Sequence, residues 1–232
     1  MTTINPYSEG QVILIDKPLN WTSFQVVNKV RWLIKKQFGL KKIKVGHAGT
    51  LDPLATGLLI LCTGKMTKSI DSFQAQEKTY TGRLTLGATT PSYDLETEVD
   101  ATYDYQHITP EMLEITAQKF TGELLQKPPI FSAIKKDGKR LYNLAREGKS
   151  IEISARKVSI FEFNLTDIDL PNVDFRVRCS KGTYIRSLAH DFGAALNSGS
   201  HLTQLRRTAI GDFDIDQAMS IEAFETELKL KG

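Results

Sequence analysis

The chain has 232 residues, 41% of them hydrophobic, which is enough to bury the core of one large domain. Its formal net charge of +3 does not by itself announce a nucleic-acid binder, and the N-terminus "MTTINPYSEGQ" lacks the apolar core of a signal peptide. No run of about 18 apolar residues offers a membrane span. The two cysteines, Cys62 and Cys179, lie far apart with no CxxC pair and no His/Cys cluster, which argues against a structural metal and fits a reducing, cytoplasmic compartment.

In chain order, "QVILID" (11–16) is predicted as a short buried strand closed by the turn Asp16-Lys17-Pro18. A helix follows in "NWTSFQVVNKVRWLIKKQFG". Thr22 or Ser23 can cap it, Val27, Val30 and Ile34 share one face, and Gly39 ends it. "GLLILCTG" is a second strand, "KMTKSIDSF" is helical, and "KTYTGRLTLG" alternates as a half-buried strand does. "TPEMLEITAQKFTG" is a helix with Pro110 in its first turn and Gly122 past its end. "RKVSIFEFNLTDIDL" and "VDFRVRCSKG" are strands, followed by the helix "TYIRSLAHDFGAALNSG". Strands and helices mix without strict βαβ alternation, so the fold class is α+β.

Charge is separated along the chain. Lys29 to Lys44 holds seven Lys or Arg and no acid, 127–157 holds nine against three acids, and Asp94 to Glu114 holds seven acids and no Lys or Arg. Such blocks are either solvated helix faces or a basic surface for phosphates. Residues 127–152 also break the rhythm of elements. There Ile130, Phe131, Ile134, Leu141, Tyr142 and Leu144 are interleaved with basic residues, which suits either a surface hairpin or a contact with distorted nucleic acid.

The glycine-rich stretch "GHAGTLDPLATG" (46–57) fails the dinucleotide and P-loop patterns, and neither GxSxG nor HExxH occurs, so no nucleotide, flavin or metal is expected. His190 and Asp191 are adjacent on a helix, where neighbours are not expected to face each other. The stretch leaves one carboxylate, Asp52, in apolar surroundings. Asp-Pro is a good helix cap, so Asp52 is either a capped turn or a reactive acid. "CSKGTYIRS" (179–187) places Arg186 at a strand-to-helix junction, from which its charge could keep a loop carboxylate ionised.

Six segments in register decide between these alternatives: "VILIDKPLNWTSFQVV", "KVGHAGTLDPLATGLLILCTGKMTK", "EKTYTGRLTLG", "KPPIFSAIKKDGKRLYNLAREG", "CSKGTYIRSLAHDFG" and "LTQLRRTAIGDF". Over about 12–213 the chain closely resembles the bacterial tRNA pseudouridine synthase B (TruB) family. The resemblance implies a pseudouridine synthase fold: a mixed, mostly antiparallel sheet flanked by helices, forming a single catalytic domain over 1–232. It implies a thumb-like RNA-binding insertion at about 127–152, and a short form lacking the PUA-type RNA-binding domain found in many relatives.

The function implied is isomerisation of the T-loop uridine of tRNA (position 55) to pseudouridine after base flipping. Carried over position by position, Asp52 matches the catalytic aspartate, Tyr80 the tyrosine that stacks on the target base, and Arg186 the arginine that pairs with the aspartate. His47 matches the histidine that contacts the flipped loop, Tyr184 and Leu205 line the uracil pocket, and Lys17 with Pro18 supports the site.

The reaction breaks a ribose–nitrogen bond and forms a ribose–carbon bond with no net redox change, so it calls for no cofactor. An ionised carboxylate beside the ribose can act as nucleophile or base. The partner implied is the T-stem-loop of tRNA, bound by a monomer. The reading from another class is a tRNA-binding folding chaperone with secondary or no catalysis. Asp52, Tyr80 and Arg186 together favour the enzyme, because a pure binder of a polyanion needs no acid facing it.

Overall fold

The computed structural model describes residues 5–132, 135–136, 139–140 and 153–230. Among them the chain gathers into two compact units, one of 1–80 with 206–232 and one of 81–205. The chain passes from the first unit to the second within strand β4 (Lys78–Leu86) and returns within β12 (Ser200–Ile210).

The first unit opens with a short helix α1 (Pro6–Glu9), then β1 (Val12–Lys17) and the long helix α2 (Ser23–Phe38). Of the two candidate caps for α2, Thr22 is used: its side chain accepts from the Gln25 N–H, and the Gln25 side chain reciprocates to the Thr22 N–H. Gly39 ends the helix in the left-handed region at φ 61°. Strands β2 (Val45–His47) and β3 (Ala55–Thr63) follow, then a 3-10 turn (Gly64–Ser69) running into α3 (Ile70–Ala75). After β12 come β13 (Phe213–Asp214), a 3-10 turn (Ile215–Gln217) and α6 (Ile221–Leu230).

The order here is β1-β3-β12, with β2 also on β3 and β13 on β12. β1 lies antiparallel on β3 from Val12↔Cys62 to Lys17↔Gly57. Successive side chains point to opposite faces. Ile13, Ile15, Leu59 and Leu61 therefore meet Val26, Val30 and Ile34 of α2 and Phe224 of α6. Leu58, Ile60 and Cys62 face the other way, against Ile70, Phe73 and Phe213. With both faces covered, β3 is apolar nearly throughout.

In the second unit the order is β4-β11-β10-β7, from β7 (Gly122–Gln126), β10 (Arg156–Asp169) and β11 (Asn172–Cys179), with antiparallel β7/β10 and β10/β11 pairs. Short strands β5 (Ala88–Thr89) and β6 (Ala101–Thr102) pair apart from it, as do β8 (Lys135–Lys136) and β9 (Lys139–Arg140). Helix α4 (Pro110–Lys119), with Thr109 as its cap and proline at its first position, ends three residues before Gly122, whose φ of 107° opens β7. Helix α5 (Ile185–Ala195) begins straight after Tyr184. The mixed α+β architecture with mostly antiparallel pairing is the one expected. Most of the thumb-like segment at 127–152 lies outside the described residues.

No helix among the described residues is long and apolar enough to cross a membrane, and no cluster of three or more of their His, Cys, Asp and Glu side chains could hold a metal ion. Cys62 and Cys179 are buried on strands, and burial raises the Cys62 pKa to about 11.

Candidate active site

The turn that carries Asp52 sits between β2 and β3, which pair from Val45↔Thr63 to His47↔Leu61. The Asp52 carbonyl accepts from the Ala55 N–H at 3.1 Å, and the chain then enters β3. The local Asp-Pro signature therefore makes a turn into a strand rather than the helix cap it also allowed. Almost every residue of that turn is tied down. Ser23, buried at the start of α2, donates to the Leu51 carbonyl at 3.1 Å and accepts from the Leu51 N–H at 2.8 Å. The Pro53 carbonyl accepts from the Asn20 N–H at 2.8 Å and from Lys17 Nζ at 3.4 Å. The Ala48 N–H donates to the Ile60 carbonyl at 2.9 Å.

Two buried cations flank the turn. Lys17 is fully buried, and its Nζ also donates to the carbonyls of Trp21 at 2.6 Å and Pro18 at 2.9 Å. Burial pulls its pKa down to about 8; the charge of Asp52 opposes that shift and the Arg207 guanidinium adds to it. Arg207, 1% exposed, donates from Nε to the Leu58 carbonyl at 2.8 Å and from Nη2 to the Gly49 carbonyl at 3.1 Å. One side chain thus spans the entry to the turn and the strand that leaves it. The Arg207 backbone presses on Gly57, where a Cβ would lie 2.3 Å from the Arg207 carbonyl oxygen and where φ is 105°.

His47, at the end of β2, has its pKa lowered by burial first and by the Arg207 charge second, while the Gly49 backbone works the other way. Its imidazole is neutral at pH 7. Tyr80 is buried near the start of β4, beside Thr79, whose carbonyl accepts from the Thr208 hydroxyl at 3.3 Å.

Arg186 belongs to the second unit, in the first turn of α5. Its guanidinium donates to the carbonyls of Ser92 at 3.1 Å and Phe131 at 2.8 Å, and its Nε lies 3.5 Å from the Asp94 carboxylate. Both side chains of this pair are nearly buried, at 4% and 7% exposed. Asp94 is itself fixed, because its carboxylate accepts from the Glu96 N–H at 3.0 Å and its carbonyl accepts from the Thr90 and Ser92 hydroxyls. Tyr184 is held through its backbone by the buried Gln126 amide, at 2.8 and 3.0 Å, and its ring lies 4.7 Å from the Arg156 guanidinium. Leu205 is half-buried on β12.

The structure corrects one expectation nearby. His190 and Asp191 do meet, at 3.2 Å, because a partly exposed carboxylate can fold back along the helix surface although the Cβ directions diverge. The His190 ring also stacks on Tyr93 at 3.9 Å between centroids.

Of the seven expected site residues, Lys17 lies close enough to feel the Asp52 charge, and His47 stands where the chain enters the same turn, opposite Leu61. Tyr80 shares their unit, and Arg186, Tyr184 and Leu205 lie in the other. Arg207, Asp94 and Gln126 were not anticipated. "LRR" held a usable signal for Arg207. In a strand, adjacent residues point oppositely, so one arginine of the pair must face inward. Arg206 faces the Asp16 carboxylate at 2.7 and 3.0 Å, and Arg207 takes the buried side. Asp94 was hidden within an acidic block and had no local signal.

Comparison with known proteins identifies the family. Residues 35–185 match the N-terminal domain of the TruB family of pseudouridylate synthases, and 186–231 match the tRNA pseudouridylate synthase B C-terminal domain. The chain is 63% identical to a tRNA pseudouridine synthase B from Flavobacterium johnsoniae over 98% of its own length and 100% of the relative's. It is 57% identical to the same-named protein of Phocaeicola vulgatus, over 94% and 93% of the two chains. Among solved structures, a chain of a Cbf5-Nop10-Gar1 complex aligns with a TM-score of 0.71 at 30% identity, covering 95% of this chain and 54% of that one. The chain thus spans about half the length of the chain it matches in that complex.

Proposed function

The chain belongs to the TruB family of pseudouridylate synthases, and from that premise we propose that it isomerises the T-loop uridine of tRNA, at position 55, with Asp52 as the reacting carboxylate. The observation that carries the proposal is the fixing of the Asp52 turn by Ser23, Asn20, Lys17 and Arg207. A group that must meet one ribose–base bond gains rate from being held still, and backbone ties to neighbouring residues supply that. Asp52 acts as nucleophile or base while the uracil leaves ribose through nitrogen and returns through carbon.

The remaining roles follow the family pattern. Tyr80 stacks on the base and handles a proton, and Arg186 supports the Asp52 charge. Tyr184 and Leu205 line the uracil pocket, while Lys17 supports the turn. His47, neutral at physiological pH, fills the space vacated by the flipped base. Residues 1–232 act as one catalytic domain, with the thumb at about 127–152 gripping the T-stem-loop, as a monomer in the cytoplasm.

The test uses unmodified tRNA, with pseudouridine mapped by carbodiimide adduct and primer extension. The wild-type protein is expected to modify the T-loop uridine without added metal or nucleotide. Asp52→Asn is expected to bind tRNA and modify nothing; full activity in that variant would overturn the assignment.

A further inference from the structure

Strand β7 ends on a residue type that a buried position rarely carries. Leu125 faces outward at 74% exposed, so Gln126 takes the inward side, where it is 3% exposed. A buried side-chain amide is costly unless both of its ends are bonded. Here both ends go to a single residue 58 positions away. Gln126 Nε2 donates to the Tyr184 carbonyl at 3.0 Å, and Gln126 Oε1 accepts from the Tyr184 N–H at 2.8 Å. That carbonyl already accepts from the Leu188 N–H at 3.1 Å within α5, so the second donor does not fill an orphan acceptor. What it adds is a clamp on the Tyr184 backbone, at a helix start that has no side-chain cap.

The tyrosine ring is gripped from the neighbouring strand. Gln126 and Arg156 are cross-strand partners in the β7/β10 pair. Arg156 Nη2 donates to the Gly182 carbonyl at 2.6 Å, and the guanidinium lies over the Tyr184 ring at 4.7 Å. One residue further along each chain segment the tie continues, because the buried Ser187 hydroxyl donates to the Lys127 carbonyl at 2.7 Å. One pair of residues thus holds the Gly182 carbonyl, the Tyr184 backbone and the Tyr184 ring.

We propose that Gln126, with Arg156 beside it, is a positioning residue for the target base: it sets where the Tyr184 ring stands and so the shape of the uracil pocket. The inference rests on the reading above in which Tyr184 lines that pocket. With its backbone clamped, the tyrosine keeps only its own side-chain torsions, and the guanidinium over the ring restricts those. A misplacement of about 1 Å in a positioning group costs up to about 100-fold in rate. The pair stands on either side of 127–152, so the pocket wall and the segment proposed to grip the T-stem-loop share one root in the sheet.

The test is a double-mutant cycle on the single-turnover rate with unmodified tRNA, using Gln126→Met and Tyr184→Ala. The Gln126 amide bonds the Tyr184 backbone, which alanine retains, so Gln126→Met should lower Tm equally in both backgrounds. The rate should not follow Tm. Alone, Gln126→Met is expected to slow turnover about 10–100-fold with tRNA Kd changed less than about twofold. Beside Tyr184→Ala it is expected to slow turnover less than about threefold, because no ring remains to be placed. A wild-type rate in Gln126→Met, or equal losses of rate in both backgrounds, would overturn the inference. A second reading needs no turnover. Fluorotyrosine placed at position 184 reports the ring by fluorine NMR, and its resonance should shift or split in Gln126→Met; an unmoved resonance would equally overturn the inference. Failure of the wild-type protein to modify tRNA would instead count against the proposed function, and the fluorine resonance would still decide whether Gln126 sets the ring.

Discussion

Arg207→Met removes the guanidinium from beneath the Asp52 turn while keeping most of the side chain's volume. Two hydrogen bonds are lost, to the Leu58 carbonyl at 2.8 Å and to the Gly49 carbonyl at 3.1 Å. Bonds from a charged donor contribute about 1.5–3 kcal/mol each, and relief of the buried charge offsets part of that, so the net destabilisation is about 3 kcal/mol. For a chain of this size that corresponds to a Tm lower by about 6–12 °C. The variant should also lose turnover on tRNA more than affinity, because what it frees is the Gly49 side of the turn and not an RNA contact.

A purely structural role would not move the third readout. Arg207 helps to hold the His47 pKa down, so the imidazole should titrate at higher pH in Arg207→Met and return toward the wild-type value in Arg207→Lys. Calorimetry, steady-state kinetics and NMR of the histidine ring give the three quantities. An unchanged Tm together with an unchanged His47 titration would refute the argument.

Three further outcomes follow from the same geometry. Gly57→Ala sets a Cβ 2.3 Å from the Arg207 carbonyl oxygen at a positive φ, so urea unfolding should show a loss of about 2–4 kcal/mol; a loss below about 1 kcal/mol would mean that β12 moves freely. Lys17 carries a folded pKa near 8 against an ordinary 10.5, so between those values the unfolded chain holds a proton that the folded one has released. Wild-type stability relative to Lys17→Met should therefore rise from pH 8 to 10.5, by up to about 3 kcal/mol, and level off at its lower value below about pH 8. A difference independent of pH would remove burial as the cause. Asp94→Asn removes a carboxylate 3.5 Å from the nearly buried Arg186 guanidinium, which should cost about 2–4 kcal/mol and lower kcat; wild-type melting and turnover would show the pair to be incidental.

What was legible in the sequence was periodicity and local turn chemistry. The Thr22 cap and the Gly39 stop come from residues within a few positions of one another, and both are present, whereas the alternation expected over β4 holds only from Arg83 to Leu86. β2, β7 and β12 carried weaker signals. β2 is three residues long and rests on pairing with β3, and β12 interrupts its apolar alternation with Gln204, Arg206 and Arg207. The site divides the same way. Asp52 stood out as a lone acid in a glycine-rich turn, whereas Asp94 acquires meaning only through Arg186, 92 positions away, a partnership that no local pattern encodes.

The coupling between Lys17 and Asp52 bears on how the decisive substitution must be read. The Asp52 charge is the largest influence holding the Lys17 pKa up against burial, so Asp52→Asn removes an attraction from a fully buried ammonium as well as a reactive group. Lys17 in turn fixes the Pro18, Trp21 and Pro53 carbonyls, and so the turn itself. If its pKa falls further in the variant, a larger share of Lys17 is neutral at assay pH, and the turn loosens for a reason unrelated to chemistry. Raising pH drives that loosening, and lowering pH restores the ammonium. Asp52→Asn should therefore be assayed at pH 6 as well as 8. Inactivity at both, with tRNA binding kept at pH 6, isolates the lost carboxylate; activity that returns at pH 6 would assign the defect to Lys17 and the turn it holds.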